Sequence, residues 1–272
     1  MISTAVIFSA LELGCIYALV ALALFLSFRV LNIADMTTDG TFTLGCAVSA
    51  TVAVAGHPLL ALPLAMLAGA CAGSVTALLQ TKLKIPSILA GIITNTGLYT
   101  VNLAVMGFSS NVNMLKATTI FSAFAGMKLI PAVIITVFVA TMLVVFLNTR
   151  LGLSIRATGA NQNMARAQGI NTSRNVVLGL VVANGLVALS GALLSQYNSY
   201  AEINMGRGAI VIALAAIIIG DVAFGKIFRN FGFKLLAVSF GAIIYYMVIQ
   251  VVLWLGLNTN DLKLLTALVV AL

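Results

Sequence analysis

Apolar residues in this chain fall into long blocks separated by short polar connectors, and a helix needs about 20 apolar residues to cross a bilayer. The blocks predict helices over 5–28, 41–56, 59–79, 85–107, 129–147, 176–197, 209–224, 233–257 and from 262 onward, nine in all. The expected architecture is all-α, a polytopic transmembrane helix bundle forming one domain over 1–272. The opening MISTAVIFSALELG has neither a basic lead nor a small-residue cleavage site, so the first helix is expected to be retained. The closing DLKLLTALVVAL is too short to span, so the last helix is expected to be truncated.

Two of the blocks, 41–56 and 209–224, are short, and polar, glycine-containing stretches lead into them: NIADMTTDGTFTLG and SYAEINMGRG. Hydrocarbon cannot satisfy free N–H and C=O groups, so irregular backbone at membrane depth must be buried in protein or line an aqueous cavity. These are expected to be two short discontinuous segments; ordinary loops beside tilted helices are the competing reading. Gly69 and Gly73 form GxxxG, and together with Gly185 and Gly191 they predict close helix packing.

Composition changes the picture by removing soluble folds. The chain is 62% hydrophobic and 7% charged, whereas a soluble domain carries about 25% charged residues. A net charge of +8 would suggest nucleic acid in a soluble chain, but here Lys and Arg sit between apolar blocks, where the positive-inside bias puts them. With 149–175 taken as cytoplasmic, Arg29, Lys82, Lys84, Arg150, Arg156, Arg166, Arg174, Lys226, Arg229 and Lys234 fall inside. Lys116, Lys128, Arg207 and Lys263 fall outside, a ratio of ten to four. The N-terminus is then expected outside and the C-terminus in the cytoplasm. Cys15, Cys46 and Cys71 all lie in apolar blocks without CxxC spacing and are read as packing residues, not as a disulfide framework or metal site.

Polar groups inside apolar blocks are the candidates for chemistry. Glu12 sits within the first block, and a carboxylate in hydrocarbon is by default a functional-site hypothesis; a structural hydrogen bond near the outer interface is the favoured alternative. Asn95, Tyr99 and Asn102 share one helical stripe beside Thr94, and could face a path. Asn184 joins them as a candidate, although interhelical hydrogen bonding explains it as well. Asp35 and Asp39 flank the turn before the second helix, which Asp39 or Thr41 is expected to cap. Gly220, Gly225 and Lys226 match the spacing of a phosphate loop, but Ile227 stands where magnesium binding needs Ser or Thr, and the match ends an apolar block. No Ser/His, paired-Asp or HExxH constellation supports an enzyme, and there is one histidine, His57, in a turn before Pro58.

The basic stretch TRLGLSIRATGANQNMARAQGINTSRN, 149–175, contains a run over 161–169 bracketed by Gly159 and Gly169 that predicts a short helix with one apolar side. This stretch resembles the cytoplasmic coupling segment of bacterial ABC-importer permeases of the branched-chain amino acid and ribose permease superfamily. The opening LELGCIYALVALALFLSFRVLNIADMTTDGTFTLG and the later GRGAIVIALAAIIIG resemble the same permeases, so the likeness covers nearly the whole chain. The wording NIADMTTDGTFTLG is closer to the subgroup assigned to tryptophan or tyrosine uptake.

The resemblance implies a multi-pass permease in the bacterial inner membrane that works by alternating access on an amino acid, aromatic or otherwise apolar. It implies a second permease copy in a homodimer or heterodimer, cytoplasmic ABC ATPase subunits holding ATP and magnesium, and an extracytoplasmic substrate-binding protein. No cofactor is expected in this chain. Asn161, Met164, Ala165, Arg166, Ala167 and Gly169 would form the ATPase-coupling element. The alternatives are a secondary transporter using Glu12, Asp35 or Asp39 for ion coupling, and an ABC permease for another solute such as a sugar or nucleoside.

Overall fold

The computed structural model describes residues 4–123, 127–225 and 230–254. The chain runs α1 (Thr4–Leu24), a π-helical continuation (Phe25–Val30), α2 (Thr38–Val54), α3 (Pro58–Thr81), α4 (Ser87–Val105), β1 (Asn111–Asn113) and α5 (Ile120–Ala123). It continues through α6 (Leu129–Asn148), α7 (Arg150–Ala160), α8 (Gln162–Ala167), α9 (Thr172–Asn198), β2 (Tyr200–Glu202), α10 (Ala209–Phe224) and α11 (Phe231–Trp254). Among the described residues six helices are long and apolar enough to cross a membrane: Val6–Val30, α3, α4, α6, α9 and α11. The chain is therefore a polytopic helical membrane protein. The expected count of nine is not confirmed among the described residues: α2 and α10 have 17 and 16 residues, only about 24–26 Å of helix against a hydrocarbon core of about 30 Å. The block expected from 262 lies outside the described residues, as does the end of 233–257.

The 27-residue α9 is the axle, because small residues let two other helices close onto it. A side chain at Gly69 or Gly73 of α3 would meet the carbonyl oxygens of Asn184 and Leu180 at 2.5 Å. Gly45 of α2 lies against the Ala188 backbone, and Gly191 of α9 lies against Phe42. Helices this close can bond across the interface. Thr41 Oγ1 donates to Asn184 Oδ1 (2.9 Å), Asn184 Nδ2 to Asp35 Oδ2 (2.7 Å), Ser190 Oγ to the Ile16 carbonyl (2.7 Å), and Gln196 Nε2 to the Pro58 carbonyl (3.0 Å).

The two ends of the bundle differ. At one end β1 and β2 pair antiparallel, with Val112 opposite Ala201. At the other, the polar stretch 149–175 is not a loop carrying one helix; it folds into α7, α8 and the first turn of α9. Each of the three helices starts at a side chain that accepts a backbone N–H: Thr149 from Gly152, Asn161 from Asn163 and Met164, and Asn171 from Arg174. Arg156 lies over the Phe231 ring, 3.8 Å from its centre, so a charged residue of α7 is seated on α11. Gly169, at φ +78°, turns the chain back into α9.

Candidate functional site

The N-terminal ends of the two short helices meet in the bundle. The last residue before α10 is Gly208 at φ +91°, a position with no side chain to cap the helix it opens. Asp39, in the first turn of α2, does so from across the bundle: its Oδ2 accepts the Gly208 N–H and its Oδ1 the Ile210 N–H, each at 3.1 Å. One carboxylate thus stands at the positive ends of two helix dipoles. Thr43 completes the junction, donating to the Asp39 carbonyl and accepting the Gly206 N–H, both at 3.1 Å. The expectation that Asp39 or Thr41 caps α2 is corrected. Thr37 precedes α2 without a side-chain cap bond, Asp35 Oδ1 takes the Thr37 N–H (2.9 Å), and Thr41 bonds to the Thr37 carbonyl and to Asn184.

Beside this junction lies a pocket of about 190 Å³ lined by Asp39, Gly40, Thr43, Asn95, Thr96, Tyr99, Asn102, Ile203 and Arg207. The stripe Asn95, Tyr99 and Asn102 therefore shares one cavity, facing the start of α2 and the connector into α10. Asn102 is buried, and its Nδ2 donates to the Gly40 carbonyl at 3.1 Å, tying α4 to α2. Among the described residues its Oδ1 has no hydrogen-bond partner.

The other two intramembrane candidates lie elsewhere. Asn184 is buried between α9, α2 and the 31–37 connector, with its amide engaged by Thr41, Asp35 and the Leu180 carbonyl. Glu12 accepts the Tyr197 hydroxyl at 2.8 Å, and Lys128 lies over the Tyr197 ring, 5.0 Å from its centre. That contact joins α1 to the end of α9 near the β1–β2 pair. Spacing along one helix does not reveal Asp39, Thr43 or Arg207 as pocket walls. The signal available was the start of the 209–224 helix, where Gly206-Arg207-Gly208 offers no Ser, Thr, Asp or Asn as a cap and so calls for an acceptor from another segment.

At the far end, α8 falls within the expected 161–169. Asn161 Oδ1 accepts from Asn163 N and Met164 N at 3.0 Å, and Ala165 is buried at 2% exposure while Met164 is 60% exposed. Arg166 Nε donates to Thr172 Oγ1 at 2.9 Å, tying α8 to the start of α9, while Ala167 and Gly169 are exposed. Met164 is thus the large apolar side chain that α8 leaves uncovered. Gly220 of the phosphate-loop spacing lies inside α10, where a side chain would meet the Ala237 carbonyl of α11 at 2.5 Å; Lys226 lies outside the described residues.

Comparison with known proteins is consistent along the chain. A family model described as branched-chain amino acid transport system / permease component matches residues 6–272. A tyrosine transport system permease protein of Clostridioides difficile is 35% identical over 97% of this chain and 88% of its own length. An uncharacterized protein of Rickettsia prowazekii is 34% identical over 97% of this chain and 95% of its own. A ribose import permease protein of Haemophilus influenzae is 23% identical over 70% of this chain and 60% of its own. No solved structure matches.

Proposed function

Because the chain belongs to the branched-chain amino acid transport system / permease component family, a family of ABC-transport permeases, we propose that it forms the translocation path of an ATP-driven importer for an aromatic or other apolar amino acid. The observation that carries this reading is the polar pocket where α2 and α10 begin, since interrupted helices that bury polar backbone in a membrane bundle are how transporters build sites. The relative named for tyrosine transport supports the substrate class.

The ends of the bundle supply the rest. Arg29, Lys82, Lys84, Arg156, Arg166, Arg174 and Lys234 line clefts at the α7–α8 end, where Arg150 also lies, whereas Lys116, Lys128 and Arg207 belong to the end carrying β1 and β2. Among the described residues this eight-to-three distribution supports a cytoplasmic α7–α8 end and an N-terminus outside. There α8, with Met164 uncovered, docks into a cytoplasmic ABC ATPase, which holds ATP and magnesium. An extracytoplasmic binding protein delivers substrate at the other end, and a second permease copy completes the assembly.

Reconstitution tests the reading. In proteoliposomes containing the permease pair, the ATPase and the binding protein, L-tyrosine is expected to accumulate only with internal ATP and magnesium. Concentrative uptake by the chain alone, driven by a proton or sodium gradient, would overturn it.

A further inference from the structure

The pocket at the α2–α10 junction contains a buried acceptor that no donor among the described residues satisfies. Asn102 is 1% exposed, its Nδ2 is committed to the Gly40 carbonyl, and its Oδ1 has no donor among the described residues. A buried acceptor in this state favours any ligand that brings a donor. The same pocket carries one anion and one cation, Asp39 and Arg207. The two Asp39 oxygens each accept one backbone N–H, and a carboxylate has about four lone-pair sites, so both can accept more. Arg207 is exposed and makes no ion pair among the described residues. At about 190 Å³ the cavity is smaller than the roughly 300–1,000 Å³ of a site that encloses a whole drug-sized ligand. It is sized for a polar head. Tyr99, half exposed on the pocket wall, offers an aromatic face to whatever extends beyond it.

Resting on the reading of the chain as an amino-acid permease, we infer that this pocket recognises the α-ammonium and α-carboxylate of a zwitterionic amino acid. The ammonium donates to Asn102 Oδ1 and lies against the Asp39 carboxylate, the substrate carboxylate pairs with Arg207, and the substrate side chain leaves past Tyr99. Other small solutes match less of the site. A neutral sugar leaves both charges without a counter-charge, a simple anion is repelled by Asp39, and a simple cation by Arg207.

Binding of L-tyrosine, tyramine (no carboxylate) and 3-(4-hydroxyphenyl)propionate (no amine) to the full-length permease in lipid nanodiscs tests the assignment, using Arg207→Gln and Asn102→Leu. The wild-type chain is expected to bind L-tyrosine more tightly than either analogue. R207Q should weaken L-tyrosine about tenfold or more and erase its advantage over tyramine. N102L should do the same to its advantage over the propionate. Arg207 is exposed, so R207Q keeps the test valid if N102L fails to assemble. No L-tyrosine binding by the wild-type chain, or equal binding by wild type and R207Q, overturns the inference. Proteoliposome uptake by the complete complex separates the two levels. Import of L-tyrosine with R207Q at wild-type rates and affinity sinks the pocket assignment and leaves the importer standing, whereas import of D-ribose and of no amino acid sinks both.

Discussion

Asp39 carries the heaviest structural duty of any single side chain near the pocket, because it is the only acceptor that the Gly208 and Ile210 N–H groups have among the described residues. Hydrogen bonds to a charged group contribute about 1.5–3 kcal/mol, so Asp39→Ala should lower the stability of the purified permease by at least that amount. Asp39→Asn keeps one good acceptor and should lose about half as much; thermal unfolding in one detergent measures both, and an unchanged midpoint for the Ala variant would contradict the capping role. Glu12 is different. Its bond is to the Tyr197 hydroxyl, which a Gln carbonyl can also accept, so Glu12→Gln should keep assembly and wild-type uptake, and lost uptake by a well-assembled variant would place Glu12 on the path instead. At this scale the sequence was half legible. Asn95, Tyr99 and Asn102 could be grouped because they lie on one helix, while Asp39 and Arg207 join them only through the meeting of three segments distant in sequence, which no local spacing encodes.

Elements were legible wherever solvent preference alone defines them. The long blocks emerged as α1, α3, α4, α6, α9 and α11, but hydropathy places an end where polarity begins, and the chain does not. Helix α2 starts at Thr38 and α9 at Thr172, ahead of the apolar edges; Asp35 holds the Thr37 N–H in the turn that leads into α2, and Asn171 accepts the Arg174 N–H in the first turn of α9. The basic stretch is likewise mostly helical, with the Arg156 guanidinium on Phe231 rather than in water. Two changes test these elements. Gly69→Leu would drive a side chain into the Asn184 carbonyl of α9, and overpacking costs about 1–3 kcal/mol or more, so the chain should unfold at lower temperature or fail to reach the membrane; normal accumulation and stability would refute the close α3–α9 contact. On α8, Met164→Asp should leave insertion intact, since Met164 is 60% exposed, yet abolish the link between ATP hydrolysis and uptake. Wild-type transport by that variant would remove α8 from the coupling path. Ala165 is less informative, because at 2% exposure a bulky replacement disrupts α8 itself.

For the whole molecule, one end is basic and carries α7 and α8, the other carries the β1–β2 pair, and between them two short helices begin around a shared carboxylate. In the proposed importer an ATPase that moved α8 would act on the start of α9 through the Arg166–Thr172 bond, and α9 in turn is bonded to α2 through Asn184 and Thr41. That chain of contacts connects the α7–α8 end to the pocket through packed, hydrogen-bonded elements, and in the proposed importer the quantity to be switched would be the tilt of α2 and its neighbours around α9. The most direct test is side-specific labelling of the pocket in the assembled transporter. Tyr99→Cys, in a background where the exposed Cys71 is replaced by Ser, is treated with a membrane-impermeant thiol reagent from the side carrying β1 and β2, with and without ATP and magnesium. The predicted result is labelling whose rate changes severalfold with the nucleotide state; labelling that is the same in both states, or absent from both, would contradict a path that opens and closes at this junction.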